Sequence, residues 1–170
     1  MIAVSNASPL IYLSKIGAIS LLSKIFRETF TSTIVKDEVL EKKDVPEYLV
    51  LVECFSTWLK VKNPRNESLI KNISTLGIHL GEATVIALAK EIKINEKETI
   101  IILDDLAARD MAKTFGMTIT GTVGVLLKAL DMNLINKNEC KHFLYELIQY
   151  TTFRIGAEVY SKLIKKIDEY

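Results

Sequence analysis

Two cysteines among 170 residues, Cys54 and Cys140, stand far apart with no CxxC or Cys/His ligand spacing, which excludes a disulfide scaffold and a zinc finger. With only three prolines and seven glycines, collagen-like and low-complexity classes are excluded too. Charge of either sign in excess is also missing: 22 basic and 21 acidic residues leave a net +1, so nothing draws the whole molecule toward polyanions. Any nucleic-acid affinity must come from local patches. No apolar run approaches the ~20 residues that span a bilayer, and the N-terminus lacks the basic and small-residue pattern of a signal peptide. The expectation is a cytoplasmic protein with reduced thiols and no membrane partner. Absent as well are the phosphate-binding GxxxxGK[ST], the third glycine of a dinucleotide loop, a nucleophile elbow and HExxH, which sets aside P-loop, Rossmann, serine-hydrolase and zincin chemistry.

What is present is a globular composition, 49% hydrophobic and 25% charged, of about one domain's length. We expect one domain over 1–170, with helices from 137 to 170 packed on it. Met1–Val4 reads as a strand, followed by Asn6 and a helix that Ser8 caps and Pro9 enters at its first position. Gly17 breaks that helix. Thr29–Ile34 reads as β-rich and runs into a helical stretch whose face carries Val35 and Val39, with Glu38 projecting away. Pro46 starts a short helix through Val52, and Trp58–Lys62 alternates like a strand. A helix near Ser68–Thr75 precedes the clearest one, opened by Leu80-Gly81-Glu82 and striped by Val85, Ile86, Leu88, Ala89 and Ile92. Thr99–Leu103 is an unbroken apolar run, as a strand covered on both faces requires. It stops at Asp104-Asp105. A further helix ends at Gly116, a short strand covers Met117–Thr120, and Gly121-Thr122 caps the next helix. Alternating strands and helices predict an α/β fold, a three-layer α/β/α sandwich around a mostly parallel sheet of four to five strands.

In such a sheet ligands collect beyond the carboxyl ends of the strands, where Asn6, Asp104, Asp105, Thr120 and Thr122 fall. Two adjacent carboxylates repel, and a hard divalent cation such as Mg²⁺ or Mn²⁺ relieves that repulsion. The alternative is that one aspartate caps the following helix while the other is solvated. Glu82 can be a metal-binding acid or simply a favourable charge in a first helical turn, and Glu38 a site acid or part of a solvated face. Arg109, four residues after Asp105, can pair with it or touch a phosphate. His79 and His142 lack partner histidines and receive no role. A phosphoacceptor receiver domain would place its aspartate pair after the first strand, not after a late one.

The ordered set Val4-Ser5-Asn6-Ala7-Ser8-Pro9, Val35-Lys36-Asp37-Glu38-Val39, Leu80-Gly81-Glu82-Ala83, Asp104-Asp105-Leu106-Ala107-Ala108-Arg109 and Thr120-Gly121-Thr122-Val123-Gly124 resembles the PIN-domain family. Within it, the chain is similar to the prokaryotic PIN-like nucleic acid-binding proteins related to VapC-type toxins. The resemblance implies a Mg²⁺- or Mn²⁺-dependent endoribonuclease acting on single-stranded RNA, with an antitoxin protein as a possible partner and a homodimer as its assembly. It places the metal-holding positions at Asn6, Glu38, Glu82, and Asp104 or Asp105, with Thr122 a less secure match, and catalysis on Glu38, Glu82, Asp104 and Asp105. Lys15, Lys36 and Arg109 are the cations nearest these segments and the candidates for RNA contact. The first position is usually Asp in the family, and Asn6 brings an oxygen without charge. Each unit charge lost at ~4 Å is worth about 4 kcal/mol at an effective dielectric near 20. The corresponding alternative is a PIN fold that binds nucleic acid or regulates without cleaving. The C-terminal apolar residues Phe143, Leu144, Leu147 and Tyr150 can form either a dimer surface or core.

Overall fold

The computed structural model describes residues 1–96 and 98–170. Five parallel strands, β1 (Ile2–Ser5), β2 (Glu28–Thr31), β3 (Leu59–Val61), β4 (Thr99–Ile102) and β5 (Thr118–Thr120), form one sheet in the order β3-β2-β1-β4-β5. Around it lie α1 (Ala7–Lys15), α2 (Leu21–Ile25), α3 (Thr33–Val39), α4 (Glu47–Thr57), α5 (Glu67–Thr75), α6 (Leu80–Asn95), α7 (Leu106–Thr114), α8 (Thr122–Asp131), α9 (Lys137–Tyr150) and α10 (Ala157–Glu169). The sheet is flanked by helices as the three-layer α/β/α reading requires. From β1 the chain adds strands on one side through β2 and β3, then on the other through β4 and β5. The order therefore reverses between β1 and β4, and a crevice opens there beyond the carboxyl ends of these two strands.

The register explains why the two central strands are apolar. β1 pairs with β2 and β4 at once, Val4 lying opposite both Phe30 and Ile101, so its four residues are all buried. Helix α6 packs on β1 and β4, between α5 and α7. The sequence predicts an apolar stripe for α6, but every residue from Gly81 to Ala89 is buried. Glycine, alanine and threonine at five of those positions make this possible, because small side chains let a helix lie close to its neighbours all round. Helix α3 touches both α1 and α6 and so joins the two sides of the sheet.

Several boundaries differ from expectation, each for a local reason. Helix α1 begins at Ala7, not Ser8 or Pro9, and Asn6 takes the N-cap position. The β-rich stretch ends at Thr31, because the Ser32 hydroxyl accepts a bond from the Val35 N–H at 3.2 Å and starts α3, which takes in Ile34. The helix expected to end near Val52 continues to Thr57. Gly121 precedes α8 without any side-chain cap. Gly17 and Gly116, both at φ +67, do end their helices in the left-handed conformation glycine tolerates. In the C-terminal part, Asn136 and Glu139 form a reciprocal capping box on α9, while Lys141 and Lys137 reach Asp168 to fasten α10. Leu144 and Leu147 of α9 are core, whereas Tyr150 is 71% exposed, so most of that apolar face is used within the chain. No helix among the described residues is long and apolar enough to cross a membrane.

Candidate functional site

Asn6 follows β1 and is held there by its N–H, which donates to the Ile102 carbonyl at the end of β4. Asparagine is among the best capping residues, yet its side chain makes no cap bond to α1. Its Oδ1 is buried instead, with no hydrogen-bond partner among the described residues. That oxygen points toward the start of α6. A Cβ on Gly81 would stand 3.6 Å from Asn6 Oδ1 and 3.3 Å from Glu38 Oε2, so the absent side chain leaves the space that the two oxygens share.

Two hydroxyls lock this geometry. Thr84 Oγ1 donates to the Gly81 carbonyl at 2.7 Å, and Ser32 Oγ, which accepts from the Val35 N–H to cap α3, donates its own hydrogen to Thr84 Oγ1 at 2.9 Å. The helix that carries Glu38 is thereby tied to the helix that carries Glu82, through buried atoms. Neither hydroxyl was singled out by sequence reasoning, since isolated Ser and Thr carry no pattern.

Glu82, in the first turn of α6, is only 8% exposed. Burial raises its pKa, the Asp105 and Glu38 charges raise it further, and the imidazole and backbone N–H of His79 oppose them. Glu38 lies on an exposed part of α3, but the protein around its carboxyl also pushes its pKa up, against the pull of His79. His79, at the N-cap position of α6, opposes the rise at both acids. The sequence offered one cue, its position three residues before Glu82 at the N-terminus of a helix.

The aspartate doublet divides. Asp105 caps α7, its Oδ1 accepting from the Ala108 N–H at 2.8 Å, and it is exposed on the side where its charge reaches Glu82. Asp104 is engaged elsewhere: Oδ1 accepts from the Thr122 N–H at 2.8 Å and Oδ2 from the Thr122 hydroxyl at 2.6 Å. Its pKa is raised by burial, with Thr122 and Arg109 pulling the other way. The expected Arg109–Asp105 pair is not formed. Capping turns Asp105 onto the α7 backbone, and Arg109 Nη1 donates to the Leu103 carbonyl at 2.8 Å, next to Asp104. Gly121 makes room for this second group, since a Cβ there would stand 2.7 Å from Asp104 Oδ1 and 2.9 Å from Arg109 Nη1.

The sequence-predicted residues therefore form two adjoining groups at one edge of the sheet: Asn6, Glu38, Glu82 and Asp105 around the start of α6, and Asp104, Thr122 and Arg109 at the β5–α8 junction. Lys15 pairs with Glu47 at 3.5 Å and Lys36 lies over the Phe55 ring at 5.5 Å, so neither is bonded to these acids. Among the described residues, no three carboxylate, imidazole or thiol groups stand close enough to hold one metal ion as they are.

Acids and an amide oxygen gathered at the switch point of a parallel sheet agree with a family model for the PIN domain, which matches residues 2–169. The chain belongs to the PIN-domain family. No protein of curated function matches it. As a PIN domain it has a nuclease-like, nucleic acid-binding fold, and PIN domains generally are hydrolases that use divalent metals. The donor set of this PIN domain fits such a metal on its own chemistry. It supplies hard oxygen donors, one of them a buried carbonyl oxygen with no partner among the described residues, beside two carboxyls whose ionisation is resisted by burial.

Proposed function

We propose that this PIN domain is a Mg²⁺- or Mn²⁺-dependent endoribonuclease that hydrolyses phosphodiester bonds of single-stranded RNA. The observation that carries the reading is the unpartnered Asn6 Oδ1 facing the same space as the Glu38 carboxylate, at the mouth of the crevice between β1 and β4. Asn6, Glu38 and Glu82 would hold the ion, with Asp105 completing the negative charge from α7. A divalent ion bound there lowers the pKa of a water and stabilises a departing oxygen.

The chain's own groups have separable tasks. His79 offsets part of the charge that Glu38 and Glu82 place together. Asp105 keeps one oxygen for the site while the other holds the N-terminus of α7. Asp104 acts on position rather than on the ion: its two bonds to Thr122 join the end of β4 to the start of α8. Arg109, anchored by the Leu103 carbonyl, presents its remaining N–H groups beside Asp104, where they suit a phosphate oxygen of the strand. A ribonuclease of this kind suits the toxin half of a toxin–antitoxin pair, acting in the cytoplasm with an antitoxin protein as its partner.

Titration calorimetry with Mn²⁺ and a cleavage assay on single-stranded RNA test the reading together. The expected result is Mn²⁺ binding and metal-dependent cleavage, both lost in Glu82→Gln. Tight RNA binding without cleavage at any Mn²⁺ concentration would replace it with the second reading, a binding or regulatory PIN fold, which the neutral Asn6 side chain favours.

A further inference from the structure

The exposed edge of the sheet carries a second feature. Among the described residues β3 pairs only with β2, and beside it a cleft of about 480 Å³ is lined by Phe30, Phe55, Trp58, Lys60 and Lys62. Three rings and two lysines meet there. The Lys36 ammonium stands 5.5 Å from the Phe55 ring centre and the Lys60 ammonium 5.9 Å from that of Phe30. Lys60 shares its charge with Glu28, but Lys62 in the cleft, and Lys36 next to it over the Phe55 ring, form no ion pair among the described residues, which leaves a surplus of positive charge here on a chain that is nearly neutral.

Because the strands are parallel, Lys62 leaves β3 at the same edge of the sheet where Asn6 leaves β1. Asn63 then fixes this exit to the start of α3: its Oδ1 accepts from the Thr33 N–H at 2.9 Å and its Nδ2 donates to Thr33 Oγ1 at 2.9 Å. Helix α3 bears Glu38. The Lys62 end of the cleft and the β1 exit at Asn6 thus share the carboxyl edge of the sheet, about two strand spacings apart, roughly 10 Å.

From this juxtaposition we infer that the β3 edge is a stacking platform for single-stranded nucleic acid, which holds the part of the strand flanking the scissile phosphate. The inference rests on the nuclease reading for that last clause alone. Half-buried aromatic rings suit bases, which stack on them whatever their sequence once a flexible lysine swings aside, while the same lysines track phosphates at the rim. Lysines by themselves are also a common guard of an exposed sheet edge against pairing with another chain. That role does not call for rings beside them.

Trp58 is the sole tryptophan, so its emission reports on this cleft and nowhere else. The full chain in EDTA is titrated with a short oligouridylate, while anisotropy of a labelled copy of the same RNA follows total binding. The expected result is saturable quenching of Trp58 that weakens with salt. The slope of log affinity against log salt should fall by about 0.7 for each of Lys62→Gln and Lys36→Gln and be restored by Lys62→Arg. Unchanged urea midpoints confirm that the variants fold. A silent Trp58 while labelled RNA binds, unchanged salt slopes in both variants, or no RNA binding at all would overturn the platform; quenching by a protein alone would do the same. Quenching without cleavage by the wild type would refute the nuclease and leave the platform standing. Cleavage with a silent Trp58 would do the reverse.

Discussion

The bond between Thr122 and Asp104 offers the sharpest test of how the β4 and β5 ends are joined. Thr122 is fully buried as the first residue of α8, and its hydroxyl donates to Asp104 Oδ2 at 2.6 Å while its backbone N–H holds Oδ1. Thr122→Val keeps the branched shape and the backbone bond and deletes only the hydroxyl. A hydrogen bond to a charged group contributes about 1.5–3 kcal/mol. Asp104 is half-buried, so water can partly replace the lost donor, which places the cost at about 1.5–2 kcal/mol. For a chain of this size that corresponds to a fall of about 3–8 °C in Tm. The pH dependence has a defined sign. Burial already raises the Asp104 pKa in the folded state, and the Thr122 hydroxyl opposes that rise, so the variant's pKa climbs further. A carboxylate with a raised folded pKa costs stability where it is ionised, and the cost is relieved as pH falls through that pKa. The deficit of Thr122→Val should therefore be largest near neutral pH and shrink as pH falls through the raised Asp104 pKa. Urea unfolding followed by circular dichroism across this range measures it, and a double-mutant cycle with Asp104→Asn should return a coupling of similar size. A variant that unfolds at the wild-type midpoint, or one whose deficit is the same at every pH, would refute the assignment.

Other perturbations bear on the acidic group itself. Glu82→Gln removes a buried charge whose pKa is raised by desolvation and by Asp105, so the metal-free variant should be more stable than wild type at pH 7 and its stability should rise less on acidification; denaturation at several pH values checks this, and a lower midpoint at pH 7 would contradict it. Gly81→Ala puts a methyl 3.3 Å from Glu38 Oε2 and 3.6 Å from Asn6 Oδ1, and should weaken Mn²⁺ binding in calorimetry while the fold gains up to about 1 kcal/mol from helix propensity. Asn6→Asp adds a carboxylate where an unpartnered carbonyl oxygen now lies, so Mn²⁺ affinity should rise while the metal-free fold loses stability at neutral pH; equal Mn²⁺ affinities in the two forms would place the ion elsewhere.

The layered α/β fold was legible in the residues because burial leaves periodic marks. The uninterrupted Thr99–Leu103 run is what a strand covered on both faces requires, and Gly116 marked a helix end that glycine tolerates well. Element boundaries were less legible at Asn6 and Ser32, where a capping residue has two options. Ser32 caps its helix, whereas Asn6 gives up capping and turns its oxygen toward the site. The choice depends on what lies across the crevice, in residues dozens of positions away.

By itself, the order of residue types pointed to Asn6, Glu82 and the aspartate doublet at the carboxyl edge of the sheet, since a polar residue directly after a buried strand or in the first turn of the next helix has few other places to go, whereas Glu38, near the end of α3, needed the tertiary structure. Only the tertiary structure decided that Asp104 and Asp105 part company. Thr122 is eighteen residues beyond Asp104 in the chain but directly beside it once β5 pairs with β4, and it claims both oxygens of one aspartate while the α7 backbone claims one of the other. Adjacent identical side chains are indistinguishable in a linear reading. They become different chemical groups when pairing of distant strands fixes which hydrogen-bond donors each one meets.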